Sequence, residues 1–493
     1  METQDSIART SDEPVVHEGD QSTKVHRNHP ISTCPTGGPV FYDNNHLNKI
    51  NPTQLSHTYR KDEAIVYLDP KVKPDMDMCE KIHAIKKTFC QKGVPYDSIK
   101  VRKAGNCDIN IPLFLIQGPR VDTVIVTEGV PGGTAPQPHT VGESYSLNFL
   151  SSIPPHTSWE RSKTNKEKTK IDSKKEVVTV AVLDTGLDET LVDPAYVCDD
   201  FTPKEYMPCF NSIKKGGWNF LNNSEDYQDD NEERHGSLVS QYIINQFKDS
   251  PRGVKIMPLK THDAKGGGDL FSIICAIHFA MAKGADIINA SWGFYYYYNE
   301  SFLEYFRNLI ENELQKKGIL FVTAAGNRIP DEDTLANKIY YSQNHSGLND
   351  TELRDLSKHK FFPAHLSAKN KNIITVTTTN VDTTNVSGQQ NHSDIYVDLG
   401  IKANVDKNAK GEDDPSFEVP FKLIPGASPA YVAGSSFATA IATGHIGATV
   451  DKGLYLPGLT KERFISELKI KNVTSRLNPD NPLNNLIRDG VAI

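Results

Sequence analysis

The sequence predicts an α/β fold: a doubly wound parallel sheet over residues 177–493, preceded by a small α+β domain over residues 61–150. Three observations carry this expectation. From residue 177 onward, strand-like runs alternate with helix-like stripes. The strands are continuous apolar runs, the pattern of strands buried on both faces. Before residue 130 a short β-α-β-β pattern stands apart. Alternating βα units joined by crossovers build parallel sheets with helices on both faces, which sets the class.

Residues 1–60 are polar, lack a hydrophobic period and read as a loosely attached segment. In the next unit Ala64–Leu68 reads as a strand. Met78, Ile82, Ile85 and Phe89 step by four, three and four, a helix stripe that Gly93 can end. Ile99–Lys103, Ile109–Ile116 and Val124–Thr127 read as three further strands. A linker follows over 151–176; its part Glu160–Glu176 carries seven Lys or Arg against four acids and reads as a solvated tether. Beyond it, strands are expected at 177–183, 254–259, 285–290, 319–324 and 373–378. Helices are expected at 236–247, 270–283, 302–317 and after Gly434.

Composition narrows the function classes. The chain has 493 residues, enough for a large core and about two to three domains. A net charge of −8 supplies no general basic face, so neither nucleic acid nor an anionic membrane is expected as a partner. No run approaches the roughly 18 apolar residues of a membrane span. The first ten residues are polar and acidic, without a charged-then-apolar signal pattern. Seven cysteines, at 34, 79, 90, 107, 198, 209 and 275, are odd in number and lack CxxC pairs, favouring free thiols. A cytoplasmic protein is the expectation, with secretion the alternative.

The chemistry-bearing segments lie at element ends. Gly434-Ser435-Ser436-Phe437-Ala438 delivers Ser436 into the first turn of an apolar helix, among unpaired N–H groups that stabilise a developing oxyanion. Ser-rich helix starts are also ordinary N-caps. Two upstream segments favour the chemical reading. Val177–Leu187 is an apolar run ending in Asp184-Thr185-Gly186, which puts a carboxylate at the strand edge where open α/β sheets hold their sites. Arg234-His235-Gly236-Ser237 closes an acidic loop and opens a helix. Asp-Thr-Gly also marks aspartic peptidases, but those need two carboxylates, and no second Asp-Thr-Gly or Asp-Ser-Gly occurs.

These motifs resemble those of subtilisin-type serine peptidases, the subtilases. Asp184-Thr185-Gly186 is similar to the family's aspartate motif, His235-Gly236-Ser237 to its His-Gly-Thr motif and Gly434–Ala438 to its Gly-Thr-Ser-Met-Ala motif. Ala324-Ala325-Gly326-Asn327 resembles the segment supplying the oxyanion asparagine. The resemblance implies a subtilisin-like catalytic domain over 177–493 and a serine endopeptidase. In it Ser436 is the nucleophile, His235 the general base and Asp184 the residue orienting the imidazole. Asn327 and the Ser436 N–H would form the oxyanion hole.

The resemblance further implies that a polypeptide substrate adds as an extended strand between Gly266-Gly267-Gly268 and Ser291-Trp292-Gly293. Leu270, Ile273 and Trp292 would line a shallow or strongly apolar pocket for the fourth residue upstream of the cut. Ala325, Gly326 and Arg328 would border the primary pocket. Arg328 argues for an acidic primary residue and Asp331, Glu332 and Asp333 for a basic one, and both stay open. Phe361-Phe362-Pro363 suggests a bulky group near that pocket's floor. Insertions at 329–360 and 401–426, and Ala440 where proline is usual, depart from the family.

Residues 61–150 resemble the family's propeptide in topology and position, implying intramolecular inhibition. No cofactor and no metal is expected: Ile243–Pro251 offers too few clustered oxygens for calcium, and Cys275 with His278 reads as one helix face rather than a zinc half-site. A catalytically silent, subtilase-shaped binding or regulatory protein is the alternative of a different class. Fluorophosphonate labelling discriminates the two, because only an activated serine reacts.

Overall fold

The computed structural model describes residues 58–68, 78–103, 113–128, 143–153, 157–159, 176–199, 216–296, 303–328, 350–368, 372–379, 386, 390–402, 421–422, 431–470, 475–476 and 491–492. Most of the polar N-terminal segment, nearly all of the charged tether, and much of the two insertions lie outside these residues.

The N-terminal unit contains β1 (Tyr59–Leu68), α1 (Met78–Gln91), β2 (Lys100–Lys103), β3 (Leu113–Gln117), α2 (Val121–Glu128) and β4 (Glu143–Ser152). Its strands pair antiparallel in the order β2-β3-β1-β4. Ile85 and Phe89, from the predicted stripe, are buried, and Phe89 meets Tyr145 of β4 edge-on at 5.9 Å. One expectation is corrected: Val124–Thr127 is not a strand but part of α2. Its β-branched residues favour strands locally. Val121, Val124 and Ile125, however, fall at i, i+3 and i+4 and are all buried, and burial of such a face outweighs a propensity difference of a few tenths of a kcal/mol per residue. A second correction concerns thiols: Cys90 is disulfide-bonded, while Cys198 and Cys275 are not in a disulfide.

A short strand β5 (Thr157–Trp159) precedes the large sheet. That sheet is built on β6 (Val177–Asp184), β7 (Trp218–Asn219), β8 (Gly253–Lys260), β10 (Ile287–Ala290), β12 (Leu320–Ala324), β14 (Ile373–Thr379) and β15 (Leu399–Lys402). Between them lie the short β9 (Gly267–Asp269), β11 (Phe294–Tyr295) and β13 (Phe361–Phe362). After β15 come β16 (Phe421–Lys422), β17 (Tyr431–Ala433), β18 (Ser475–Arg476) and β19 (Val491–Ala492). The large sheet runs β18-β19-β15-β14-β12-β10-β6-β8-β7, parallel throughout except for β18 against β19.

The helices are α3 (His235–Asn245), α4 (Leu270–Ala282), α5 (Glu304–Asn308), α6 (Ser435–Thr449) and α7 (Lys461–Ile470). After α5 the chain runs on through a π turn, Leu309–Leu314, to Gln315–Lys317, so the predicted single helix carries one wide turn. Val178, Val180 and Val182 of β6 face a cluster with Val239 and Ile243 of α3 and Phe437, Ala438 and Ile446 of α6. Ala181 and Leu183, on the opposite face, join Ile273, Ile277 and Phe279 of α4. Burial on both faces explains why β6 reads as an unbroken apolar run. Small residues let α6 approach α3 closely: a Cβ on Gly444 would stand 2.5 Å from the Ile243 carbonyl oxygen.

The N-terminal sheet docks on the start of α4 and shares one apolar cluster with that helix. Phe149 stacks on Phe294 at 5.7 Å and meets Tyr296 edge-on at 5.2 Å. The Phe271 N–H, otherwise unpaired at a helix start, donates to Asn148 Oδ1 at 3.0 Å. The Arg102 guanidinium lies 5.0 Å from the Phe271 ring centroid.

Candidate active site

Asp184 closes β6, at the sheet edge where β8, β10 and β12 also end. It is fully buried. Its Oδ1 accepts the Thr185 N–H at 2.8 Å and lies 2.8 Å from His235 Nδ1. His235, also fully buried, is the first residue of α3. The start of this helix is fastened from several directions. The His235 N–H donates to Asn231 Oδ1 at 3.2 Å, and the Gly236 N–H to Thr185 Oγ1 at 2.9 Å. The Ser237 N–H and hydroxyl donate to Asp229 Oδ2 at 3.0 and 2.6 Å, and the Ser237 hydroxyl accepts the Asp188 N–H at 2.9 Å. Burial raises the Asp229 carboxyl above the usual range, while the Ser237 bonds pull it down.

Lys260, at the end of β8, is buried and donates to the carbonyls of Thr185 and Gln228 at 2.6 and 3.1 Å and to Asp230 Oδ1 at 2.6 Å. It pins the acidic loop against the Asp-Thr-Gly turn. Sequence reasoning missed Asp229 and Lys260. Asp229 stands among several acids of one loop, and only the tertiary contact separates it from its solvated neighbours.

Ser436 lies in the first turn of α6, directly after β17 and Gly434. Its hydroxyl donates to the Ser291 carbonyl at 3.0 Å, and the Ser291 hydroxyl donates to the Ser436 carbonyl at 2.9 Å. Asn289 Nδ2 donates to Ser291 Oγ at 3.0 Å, and the Thr443 hydroxyl to Asn289 Oδ1 at 2.9 Å, tying α6 to the end of β10. The Ser435 N–H donates to Asn327 Oδ1 at 2.9 Å. That bond fixes the carboxamide: with the oxygen turned to Ser435, the amide donors face the other way. Phe437 connects the two helix starts, its ring 5.3 Å from that of His235 and 5.7 Å from that of Tyr242.

A profile of the subtilase family matches residues 175–484. The chain belongs to the subtilase family. Among curated proteins, this subtilase is 34% identical over 121 residues to the cell wall-associated protease of Bacillus subtilis, a match covering 23% of this chain and 12% of that protein. Among solved structures it resembles fervidolysin from Fervidobacterium pennivorans, a keratinolytic enzyme related to subtilisin, with TM-score 0.52 and 16% identity over 88% of this chain and 60% of that one. It is also similar to the epidermin leader peptide processing serine protease of Staphylococcus aureus, with TM-score 0.49 and 15% identity over 88% and 97% of the two chains. The subtilase thus spans a small part of the curated relative and under two thirds of fervidolysin.

Among the residues expected to bind substrate, Gly267 and Gly268 belong to β9 and pair with Ser152 and Ser151 of β4. Ser152 and Gly293 exchange backbone hydrogen bonds at 3.0 and 3.1 Å, and the Ile153 N–H donates to the Gly266 carbonyl at 3.0 Å. Residues 151–153 of the subtilase's own chain therefore run between the two segments that sequence analysis assigned to a substrate strand. Leu270, Ile273 and Trp292 are buried in the core shared with the N-terminal unit. Ala325 is held by the Val376 carbonyl at 2.8 Å, and the Gly326 N–H donates to Ser435 Oγ at 3.0 Å. Arg328 is buried. Among the described residues no group of three or more His, Cys, Asp or Glu side chains is placed to hold a metal ion, and no helix is long and apolar enough to cross a membrane.

Proposed function

We propose that this subtilase is a serine endopeptidase whose N-terminal unit restrains it. The observation that carries the catalytic part is the buried 2.8 Å contact of Asp184 with His235, at the start of a helix packed through Phe437 on the turn that bears Ser436. A serine hydroxyl is a weak nucleophile at neutral pH. His235 takes its proton as Ser436 Oγ attacks the scissile carbonyl and returns that proton to the leaving amine. Asp184 holds the ring with Nδ1 toward its carboxylate and stabilises the imidazolium. The Asn327 amide and the Ser436 N–H receive the oxyanion of the tetrahedral intermediate. For this the Ser436 hydroxyl must leave the Ser291 carbonyl, to which it donates at 3.0 Å.

Restraint is supported by the pairing of Leu150, Ser151 and Ser152 with Asp269, Gly268 and Gly267, and of β5 with β17, the strand leading into Ser436. A segment of the chain occupies each flank of the nucleophile turn where an extended peptide would add.

Fluorophosphonate labelling and hydrolysis of a peptide library by the full chain test the catalytic part. Ser436→Ala removes one oxygen and is expected to abolish both while far-UV and near-UV circular dichroism stay unchanged. His235→Ala is expected to do nearly as much, because these groups act as a unit. Wild-type turnover in either variant rejects the mechanism.

A further inference from the structure

We infer that His262 is a specificity-determining residue, selecting a serine or threonine hydroxyl at the substrate position that pairs opposite Gly268. The inference rests on the peptidase reading above and deepens it by naming a preferred class of substrate. In the structure that position is filled by Ser151, a residue only 3% exposed and paired antiparallel with Gly268. Its hydroxyl lies 3.1 Å from His262 Nε2 and points to the Gly293 carbonyl at a longer 3.4 Å. The other ring nitrogen, Nδ1, lies 2.9 Å from the Thr261 hydroxyl.

The site is built to hold the imidazole there. The His262 N–H donates to the Asp184 carbonyl at 3.1 Å, so the residue is fixed to the same turn that carries the catalytic carboxylate. A Cβ on Gly268 would stand 2.8 Å from His262 Cδ2 and 2.9 Å from Nε2, so only glycine leaves room for the ring. The Trp292 ring closes the other side, 5.9 Å between centroids. Trp292 Nε1 is buried and has no hydrogen-bond partner among the described residues.

His262 is fully buried, and burial pushes its pKa down to about 4, so the ring is neutral at physiological pH. One nitrogen of a neutral imidazole donates and the other accepts. A hydroxyl does both, and satisfies Nε2 whichever tautomer Thr261 selects. An apolar side chain satisfies neither and leaves the buried Nε2 unpaired. A site built to bond a hydroxyl discriminates strongly against analogues lacking it.

Two measurements on the full chain test this. In the first, quenched fluorescent peptides differing only at the residue opposite Gly268 are compared. Wild type is expected to favour Ser and Thr over Leu about tenfold in kcat/KM, or about 1.4 kcal/mol. His262→Leu is expected to reverse that order. In the second, the rate of fluorophosphonate labelling of Ser436 is followed in Ser151→Thr and Ser151→Leu chains. Thr is expected to label as slowly as wild type, and Leu about tenfold faster, because its segment leaves the groove more often. Equal labelling of both variants, or a wild-type preference for Leu peptides, overturns the role of His262 while the peptidase reading stands. Absence of any Ser436 labelling, in Ser151→Leu as in wild type, overturns the peptidase reading and this inference with it.

Discussion

At Asn327 a single backbone hydrogen bond decides what the side chain can do. The Ser435 N–H holds Oδ1 at 2.9 Å and so fixes the carboxamide's orientation; in the proposed mechanism this preorganises its donors for the oxyanion. Asn327→Leu keeps the volume and removes the donor. It is expected to lower kcat roughly 100 to 1,000 fold, the loss known for such an amide in a subtilisin, with KM little changed. Steady-state kinetics on one good peptide checks this, and a change confined to KM counts against the role. Ser237 carries a different prediction. Its hydroxyl is donor to Asp229 and acceptor from Asp188, both in the buried wall behind His235. Ser237→Ala leaves the Asp229 carboxyl short of a donor and is expected to cost about 1 to 3 kcal/mol in urea unfolding. At this scale the sequence shows which residue types can do chemistry. It does not distinguish Asp229 from the acids beside it.

The elements follow their apolar pattern wherever that pattern is long. β6, β8, β12 and β14 fall within one or two residues of their predicted bounds, because each is rich in the apolar and β-branched residues that favour strands buried on both faces. Short runs behave differently. Val124–Thr127 became helical because its apolar residues have somewhere to pack only in that form, and β4 escaped notice because Ser144, Ser146 and Asn148 break the run. Helix α4 carries a prediction about acid. His278 within it is buried with Nε2 2.7 Å from the Tyr305 hydroxyl, and burial lowers its pKa to about 4, as it does for His262. A histidine whose folded pKa lies below its unfolded value of about 6.5 supports the fold fully above that value. The support is lost as pH falls through 6.5 toward 4, about 3 kcal/mol for each ring at pH 4. Asp229, raised by burial, has the opposite sign and works against this slope as pH falls. Melting temperature is therefore expected to fall steadily from pH 7 to 4.5, and His278→Gln to flatten the slope. An equally steep slope in that variant contradicts the assignment.

Across the whole molecule, the N-terminal unit and the large parallel sheet share one apolar cluster, and Phe149 sits where they meet. Its stacking on Phe294 and edge contact with Tyr296 join the unit's last strand to the segment after Gly293. Phe149→Ala is expected to cost about 3 to 5 kcal/mol of stability. If the unit restrains the enzyme, the same change speeds fluorophosphonate labelling of Ser436. A lower melting temperature with unaltered labelling rejects restraint and leaves a purely structural role. Intact mass of the wild-type and Ser436→Ala chains adds a second reading: a cut in the wild type alone, within 160–176, marks self-processing, since a charged run that reads as solvated in sequence is the kind of segment peptidases cut.

The sequence by itself determined the parallel sheet, the family, and the segments holding Asp184, His235, Asn327 and Ser436. These depend on local matters: runs of apolar residues with a fixed period, and small-residue turns at the ends of elements. Only the tertiary structure decided what lies between Gly268 and Gly293, which acid supports the start of α3, and that the imidazole of His262 meets the Ser151 hydroxyl. Each of these joins residues far apart in the chain. Ser151 and His262 are separated by 111 positions, and a lone histidine after a strand looks the same in sequence whether it is buried against a partner or turned to solvent.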